Sequence, residues 1–139
     1  MKIFYTDGSA EPNPGPGGWA VIDASTKQPV KLGSAKDTTN IRMEGTALIN
    51  AIKLADQEPV EIHTDSEFWI NVITKWAPTW ALNHWQKKRG EIKNLDLVKE
   101  LYNLYREHDV KLIWVKGHDG LELNELADEA ANHARKNQL

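Results

Sequence analysis

Two short segments of the chain share a form, Thr6-Asp7-Gly8 and Thr64-Asp65-Ser66, and each follows a run with strand-like alternation. In sheets with parallel strands, ligands gather beyond the C-terminal ends of the strands. If the two strands are parallel neighbours, Asp7 and Asp65 stand side by side. A lone Asp at such a place ordinarily begins a turn or caps a helix; for a matched pair the two readings are level. Asp128 sits between Ala127 and the Ala130-Ala131 pair, near the buried side of the last helical segment. A carboxylate there requires a partner. No Lys or Arg lies one helical turn away on either side, and Asn124 lies four residues earlier. Glu44 falls in the first turn of its helix, where a negative charge is favourable in any case.

Clustered carboxylates do not all stay ionised without a counter-charge. All-oxygen ligation suits hard divalent cations such as Mg2+ or Mn2+ better than zinc. A pair of such ions both activates a water and stabilises a leaving oxygen, so phosphodiester hydrolysis is the reaction these acids suggest. His118 lies in a Gly117-His118-Asp119-Gly120 loop ten residues before Asp128. Imidazole is suited to proton transfer near neutral pH, although a solvated loop histidine is the commoner case. Further along the same line, Trp76, Trp80, Trp85, Lys87, Lys88 and Arg89 interleave aromatic and basic groups. Such a surface grips a phosphate backbone and stacks on sugars or bases. The plainer reading is a solvated basic turn with its tryptophans in the core, and the two are compatible. Trp19, Trp69 and Trp114, on regular elements, are expected to pack.

These groups need a frame. Lys2 to Thr6, Trp19 to Asp23 and Val30 to Ala35 read as three strands joined by short loops, an antiparallel meander. Thr38-Thr39-Asn40 offers an N-cap for a helix with Met43, Ala47, Ala51, Leu54 and Ala55 on its apolar side. Pro59 resets the chain before a fourth strand, Val60 to Thr64. A helix through Phe68, Trp69, Val72 and Ile73 follows, then an irregular stretch from 75 to 93. Leu95, Val98, Leu101, Tyr102 and Tyr105 recur at helical spacing. Val110 to Val115 is a fifth strand, and a last helix from about Leu121 to Lys136 buries Leu123, Ala127, Ala130, Ala131 and Ala134. The expected fold is α/β, a mixed five-stranded sheet with helices packed on it.

With 139 residues, 40% hydrophobic and 27% charged, the chain suits one compact domain, 1–139. The absence of cysteine excludes disulfides and thiolate zinc sites. There is no signal-peptide pattern and no apolar run of membrane-spanning length, so a cytoplasmic location is expected, with no membrane partner. A net charge of -3 argues against a nucleic-acid partner when taken alone. Its distribution argues otherwise, because residues 75–93 hold five Lys and Arg against the single acid Glu91.

Taken in order, the motifs resemble type 1 ribonuclease H. Asp7-Gly-Ser with Asn13-Pro-Gly-Pro-Gly-Gly18 is similar to that family's opening. Thr38-Thr39-Asn40-Ile-Arg42-Met43-Glu44 resembles its second motif and Thr64-Asp65-Ser66 its third. Trp114-Val-Lys-Gly117-His118, with Asn124-Glu125 and Asp128, resembles its last. The resemblance spans nearly the whole chain. It implies a ribonuclease H-like fold and endonucleolytic hydrolysis of the RNA strand of RNA–DNA hybrids, leaving 5′-phosphate and 3′-hydroxyl ends. It implies two Mg2+ ions, replaceable by Mn2+, on Asp7, Glu44, Asp65 and Asp128. It gives His118 a part in proton shuttling or product release. Asn13, Thr39, Asn40, Arg42 and Asn94 match positions at the hybrid, and the 75–93 segment matches a basic handle that includes Trp76, Trp85, Lys87, Lys88 and Arg89. A monomer is expected. The chain departs from the family pattern at Ile41, where Asn is frequent, at Glu67, where Gln is common, and in the length of the handle. The competing readings are another nuclease or transferase of the same wider fold, an inactive hybrid-binding module, and a reverse-transcriptase fragment.

Overall fold

The computed structural model describes residues 1–116 and 122–139. Three antiparallel strands open it: β1 (Lys2–Ala10), β2 (Gly15–Asp23) and β3 (Gln28–Thr38). Helix α1 (Asn40–Ala55) returns the chain to β4 (Val60–Thr64), which pairs parallel with β1. Three further helices, α2 (Glu67–Asn71), α3 (Ala77–Leu82) and α4 (Leu95–Glu107), lead to β5 (Val110–Trp114), parallel to β4. Helix α5 (Glu122–Asn137) closes the described chain. The sheet order is β3-β2-β1-β4-β5, the expected mixed five-stranded sheet.

Helix α1 begins where the Thr39 hydroxyl accepts from the Arg42 amide at 3.1 Å, satisfying one of the unpaired donors of a helix start. Met43, Ala47, Leu48, Ala51, Ile52 and Ala55 are buried along it at helical spacing. It stops at Asp56 and Gln57, both left-handed (φ 47° and 74°), with Pro59 beyond. Its buried side meets Phe4, Val21, Ile62, Trp69 and Leu101 in one core between the sheet, α1 and α4. Truncating a fully buried residue there, such as Leu48→Ala, costs about 2–5 kcal/mol. On the other face α5 packs against β1, β2 and β3. Its contact residues are small, with Ala127, Ala131 and Ala134 fully buried. Gly18 of β2 lets the helix approach, since a Cβ there would collide with the Arg135 backbone.

Several elements differ from expectation. The meander strands are longer, and β1 runs on through Asp7 to Ala10, because β2 keeps pairing with it as far as Ala10. The 75–93 stretch is not irregular throughout: Val72–Trp76 forms a π-helical turn and Ala77–Leu82 a helix, with Pro78 in the first turn where proline is tolerated. Trp114 does not pack as expected; it lies on the edge strand and is 51% exposed. Phe68 is exposed too. Along α5 the side chains of Leu123 and Ala130 are only half-buried, whereas Asn124 is buried.

Candidate active site

The β1–β4 ladder pairs Lys2 with Val60 and Tyr5 with His63, and continuing its register puts Asp7 level with Asp65. β4 ends at Thr64, while β1 continues, paired only with β2. The two carboxylates thus stand at the notch where the central strands part. Asp7 is inside its strand rather than at the end, a correction to the symmetric picture drawn from sequence. Side chains alternate across a strand. Gly8 faces α1, where a Cβ would collide with the backbone of Met43 and Glu44, so Asp7 projects to the opposite face, which α5 covers.

The same glycine brings in the third acid. Glu44 is the fifth residue of α1, not part of its first turn as expected. The bare Gly8 backbone lets that part of α1 lie directly on β1. Carboxylate oxygens of Asp7, Glu44 and Asp65 all fall within 4.8 Å of one another. Asp128 reaches the group from α5, its carboxyl sharing a hydrogen bond with Asp7. Its place among buried alanines and Asn124 matches the expectation that it needs a partner, and that partner is another acid.

Two of these acids, Asp7 and Glu44, resist ionisation. Burial pushes Asp7 up to about 9, helped by the neighbouring charge of Asp65 and the hydrogen bond to Asp128, while the Gly8 amide works against this. Burial likewise raises Glu44 to about 7; a hydrogen bond from Ser66 opposes the rise and the charge of Asp65 adds to it. Asp7 is 7% exposed. The remedy for so much buried negative charge is a cation, and oxygen-only donors select a hard divalent one. Asp7, Glu44 and Asp65 fit that demand. Ser66 was not foreseen as a site residue: it caps α2 by accepting from Trp69 at 3.2 Å and also donates to Glu44. Its capping role was visible in sequence, but its second bond crosses to another element.

The expected substrate-facing residues form a chain of contacts beside the acids. Asn13 Oδ1 accepts from the Asn40 amide at 3.2 Å, and Asn40 Oδ1 accepts from the Ala10 amide at 2.6 Å. Thr39 is the α1 cap. Arg42 is held by Asp96 and Asn94. Asp96 was also missed, because nothing in its own segment signals a partner 54 residues away. Ile41 turns its side chain to the core and its carbonyl to the Trp69 indole N–H, at 2.7 Å, which accounts for an apolar residue there. Glu67 is exposed in the first turn of α2, favourably placed for the helix dipole. Trp76 is 46% exposed and, with Trp80, Lys87 and Lys93, lines a groove of about 450 Å3. Trp85 instead packs edge-on against Tyr102, with Lys99 over its ring. Lys87, Lys88 and Arg89 are exposed. His118 lies outside the described residues.

The RNase H family matches residues 1–136. The chain is 43% identical over 139 residues to a ribonuclease H of Hahella chejuensis (strain KCTC 2396), covering 98% of this chain and 94% of that protein. It is 43% identical over 135 residues to a ribonuclease H of Francisella tularensis subsp. novicida (strain U112), covering 95% and 89%. Among solved structures it is similar to LC9-RNase H1, a type 1 RNase H with the type 2 active-site motif. That similarity has a TM-score of 0.80 at 27% identity over 100% of this chain and 74% of the other. The solution structure of the PFV RNase H domain, at 24% identity and TM-score 0.78 over 97% and 94%, shares the fold.

Proposed function

Since the chain belongs to the RNase H family, we propose that it hydrolyses the RNA strand of RNA–DNA hybrids endonucleolytically, leaving 5′-phosphate and 3′-hydroxyl ends. The observation that carries this reading is the approach of Asp7, Glu44 and Asp65 to within 4.8 Å at the notch between β1 and β4, with Asp128 against Asp7. These four side chains are the ones we assign to two Mg2+ ions, with Mn2+ as a substitute. When bound, the ions supply Lewis-acid activation of a water and charge neutralisation at the phosphate. The protein's part is to hold the oxygens of Asp7, Glu44 and Asp65 close together, with Asp7 and Glu44 giving up their protons when cations are bound. We assign His118 to proton transfer and product release.

The hybrid is placed by the polar row next to the acids. Asn13, Thr39, Asn40 and Asn94 supply short neutral contacts, suited to phosphate oxygens and to the 2′-hydroxyls that distinguish RNA from DNA. The exposed Lys87, Lys88 and Arg89 with Trp76 give the handle its grip on a backbone phosphate. Trp85 contributes from beneath, by holding the handle to α4. A monomer with no membrane association and a cytoplasmic location fits this reading; among the described residues no helix is long and apolar enough to cross a membrane.

The deciding experiment incubates the protein with labelled RNA–DNA hybrid, duplex DNA and duplex RNA, with and without Mg2+. Mg2+-dependent cleavage confined to the RNA strand of the hybrid is expected. Cleavage of duplex DNA, or of no substrate, refutes the proposal.

A further inference from the structure

The resemblance puts Arg42 among the positions at the hybrid, yet its guanidinium is already committed. Nη2 donates to Asp96 Oδ2 at 2.7 Å, and Nη1 donates to Asp96 Oδ1 at 3.0 Å and to Asn94 Oδ1 at 3.2 Å. The two bonds to Asp96 form the fork geometry in which an Arg–carboxylate pair is strongest and most directional. Asp96 is held well below the usual carboxylate range, at about 2, chiefly by its hydrogen bond to Arg42. A guanidinium neutralised in this way is a weak attractor of phosphate.

What Arg42 does to Asn94 follows from donor and acceptor chemistry. Arginine has donors only, so the atom Asn94 turns toward it is the amide oxygen. The amide nitrogen is therefore turned away, and Nδ2 makes no hydrogen bond among the described residues. Asn94 precedes α4 in a left-handed conformation (φ 58°) and does not use its side chain as a helix cap. It stands where the handle segment returns to the body of the protein.

We propose that Asp96 and Arg42 are positioning residues that act through Asn94. Asp96 locks the Arg42 fork, Arg42 fixes the Asn94 oxygen, and the Asn94 Nδ2 hydrogens are thereby aimed outward as ready-made donors to a hybrid phosphate oxygen. This rests on the hybrid being the substrate, and it moves Arg42 from the contact surface to the support behind it.

The test measures hybrid dissociation constants without divalent metal over a range of salt. It compares the wild type with Asp96→Ala, Arg42→Ala, Asn94→Ala and the Arg42→Ala/Asn94→Ala double variant. Each single variant is expected to bind about 5–10-fold more weakly, the scale of one oriented hydrogen bond, with an unchanged slope of log affinity against log salt. The double variant is expected to be no weaker than Asn94→Ala, because a relay has one output. A slope reduced by about 0.9 in Arg42→Ala would reveal a direct phosphate contact and overturn the proposal. Additive losses in the double variant overturn it as well. So does Asp96→Ala binding as tightly as the wild type or tighter. Melting temperatures are recorded alongside; a loss of stability with wild-type affinity assigns the pair to folding alone and refutes the relay. If the wild type neither binds nor cuts the hybrid, the substrate assignment has failed rather than the relay.

Discussion

Gly8→Ala changes one methyl group and tests whether the spacing of α1 from β1 sets the geometry of the acids. A Cβ built on Gly8 lies 2.5 Å from the Glu44 amide nitrogen, against an ordinary contact of at least 3.4 Å. The atoms it meets are backbone, so no side chain can swing aside. The local gap must open by about 1 Å, since the Met43 carbonyl carbon is closer still, and Glu44, the next residue along, moves with it. Such overpacking costs about 1–3 kcal/mol, against a total stability of about 5–15 kcal/mol for a domain, so the variant stays folded at 25 °C. The effect on chemistry is larger, because an active-site displacement near 1 Å lowers rates about 100-fold, or about 2.7 kcal/mol in the barrier. The assay is the initial rate of cleavage of a labelled hybrid across a Mg2+ titration, with a melting curve on the same preparation. The expected result is a Tm lower by several degrees, a higher Mg2+ midpoint and kcat/KM down by about two orders of magnitude. A variant with lowered Tm but wild-type kcat/KM and Mg2+ midpoint refutes the reasoning, since the strain would then have been relieved without moving Glu44.

Asp65→Asn, which removes the shared neighbour of Asp7 and Glu44, is expected to abolish cleavage while a gel-shift assay shows hybrid binding largely intact. Lys87→Ala combined with Lys88→Ala is expected to weaken hybrid binding and to flatten its salt slope by about one to two, read from affinities at four or more salt concentrations. The raised Asp7 and Glu44 also make metal binding pH-dependent. Metal-free folded protein holds more protons at these sites than the unfolded chain does between the ordinary carboxylate values near 4 and about 9. The cluster's contribution to stability therefore falls as pH rises through that window. Mg2+ is expected to raise Tm more at pH 8.5 than at pH 6, and calorimetry in buffers of different ionisation enthalpy is expected to show proton release on binding. A Mg2+ stabilisation independent of pH contradicts the assignment of those protons.

Sequence made the frame legible where periodicity was strong. The alternation of β1 and β4 put Asp7 and Asp65 on adjoining parallel strands, and Asp128 announced itself as a carboxylate near the buried side of its helix without a nearby cation. Glu44 could not be found this way. A glutamate early in a helix satisfies the dipole, and its functional position depends on a missing Cβ 36 residues away, at Gly8. The handle reads as irregular because π-helical and short α-helical turns carry no 3.6-residue stripe long enough to register, and Pro78 sits in a first turn where proline is tolerated. Trp114 misled for a related reason. A tryptophan ending a strand reads as core unless the strand is known to be an edge, and sheet order is not encoded locally. Arg42 and Asp96 were invisible as a pair, because nothing in either segment points across 54 residues.

The acids enter the chain in a fixed order, and the last of them rides on α5, which docks on the face of β1 and β2 opposite α1. During synthesis the first three are made more than sixty residues before the fourth. A nascent chain that has formed the meander, α1 and β4 thus holds an unfinished centre until its C-terminal helix arrives and packs through alanines against Gly18. A chain made only as far as β4 and Asp65 therefore carries three of the four acids and lacks the one on α5.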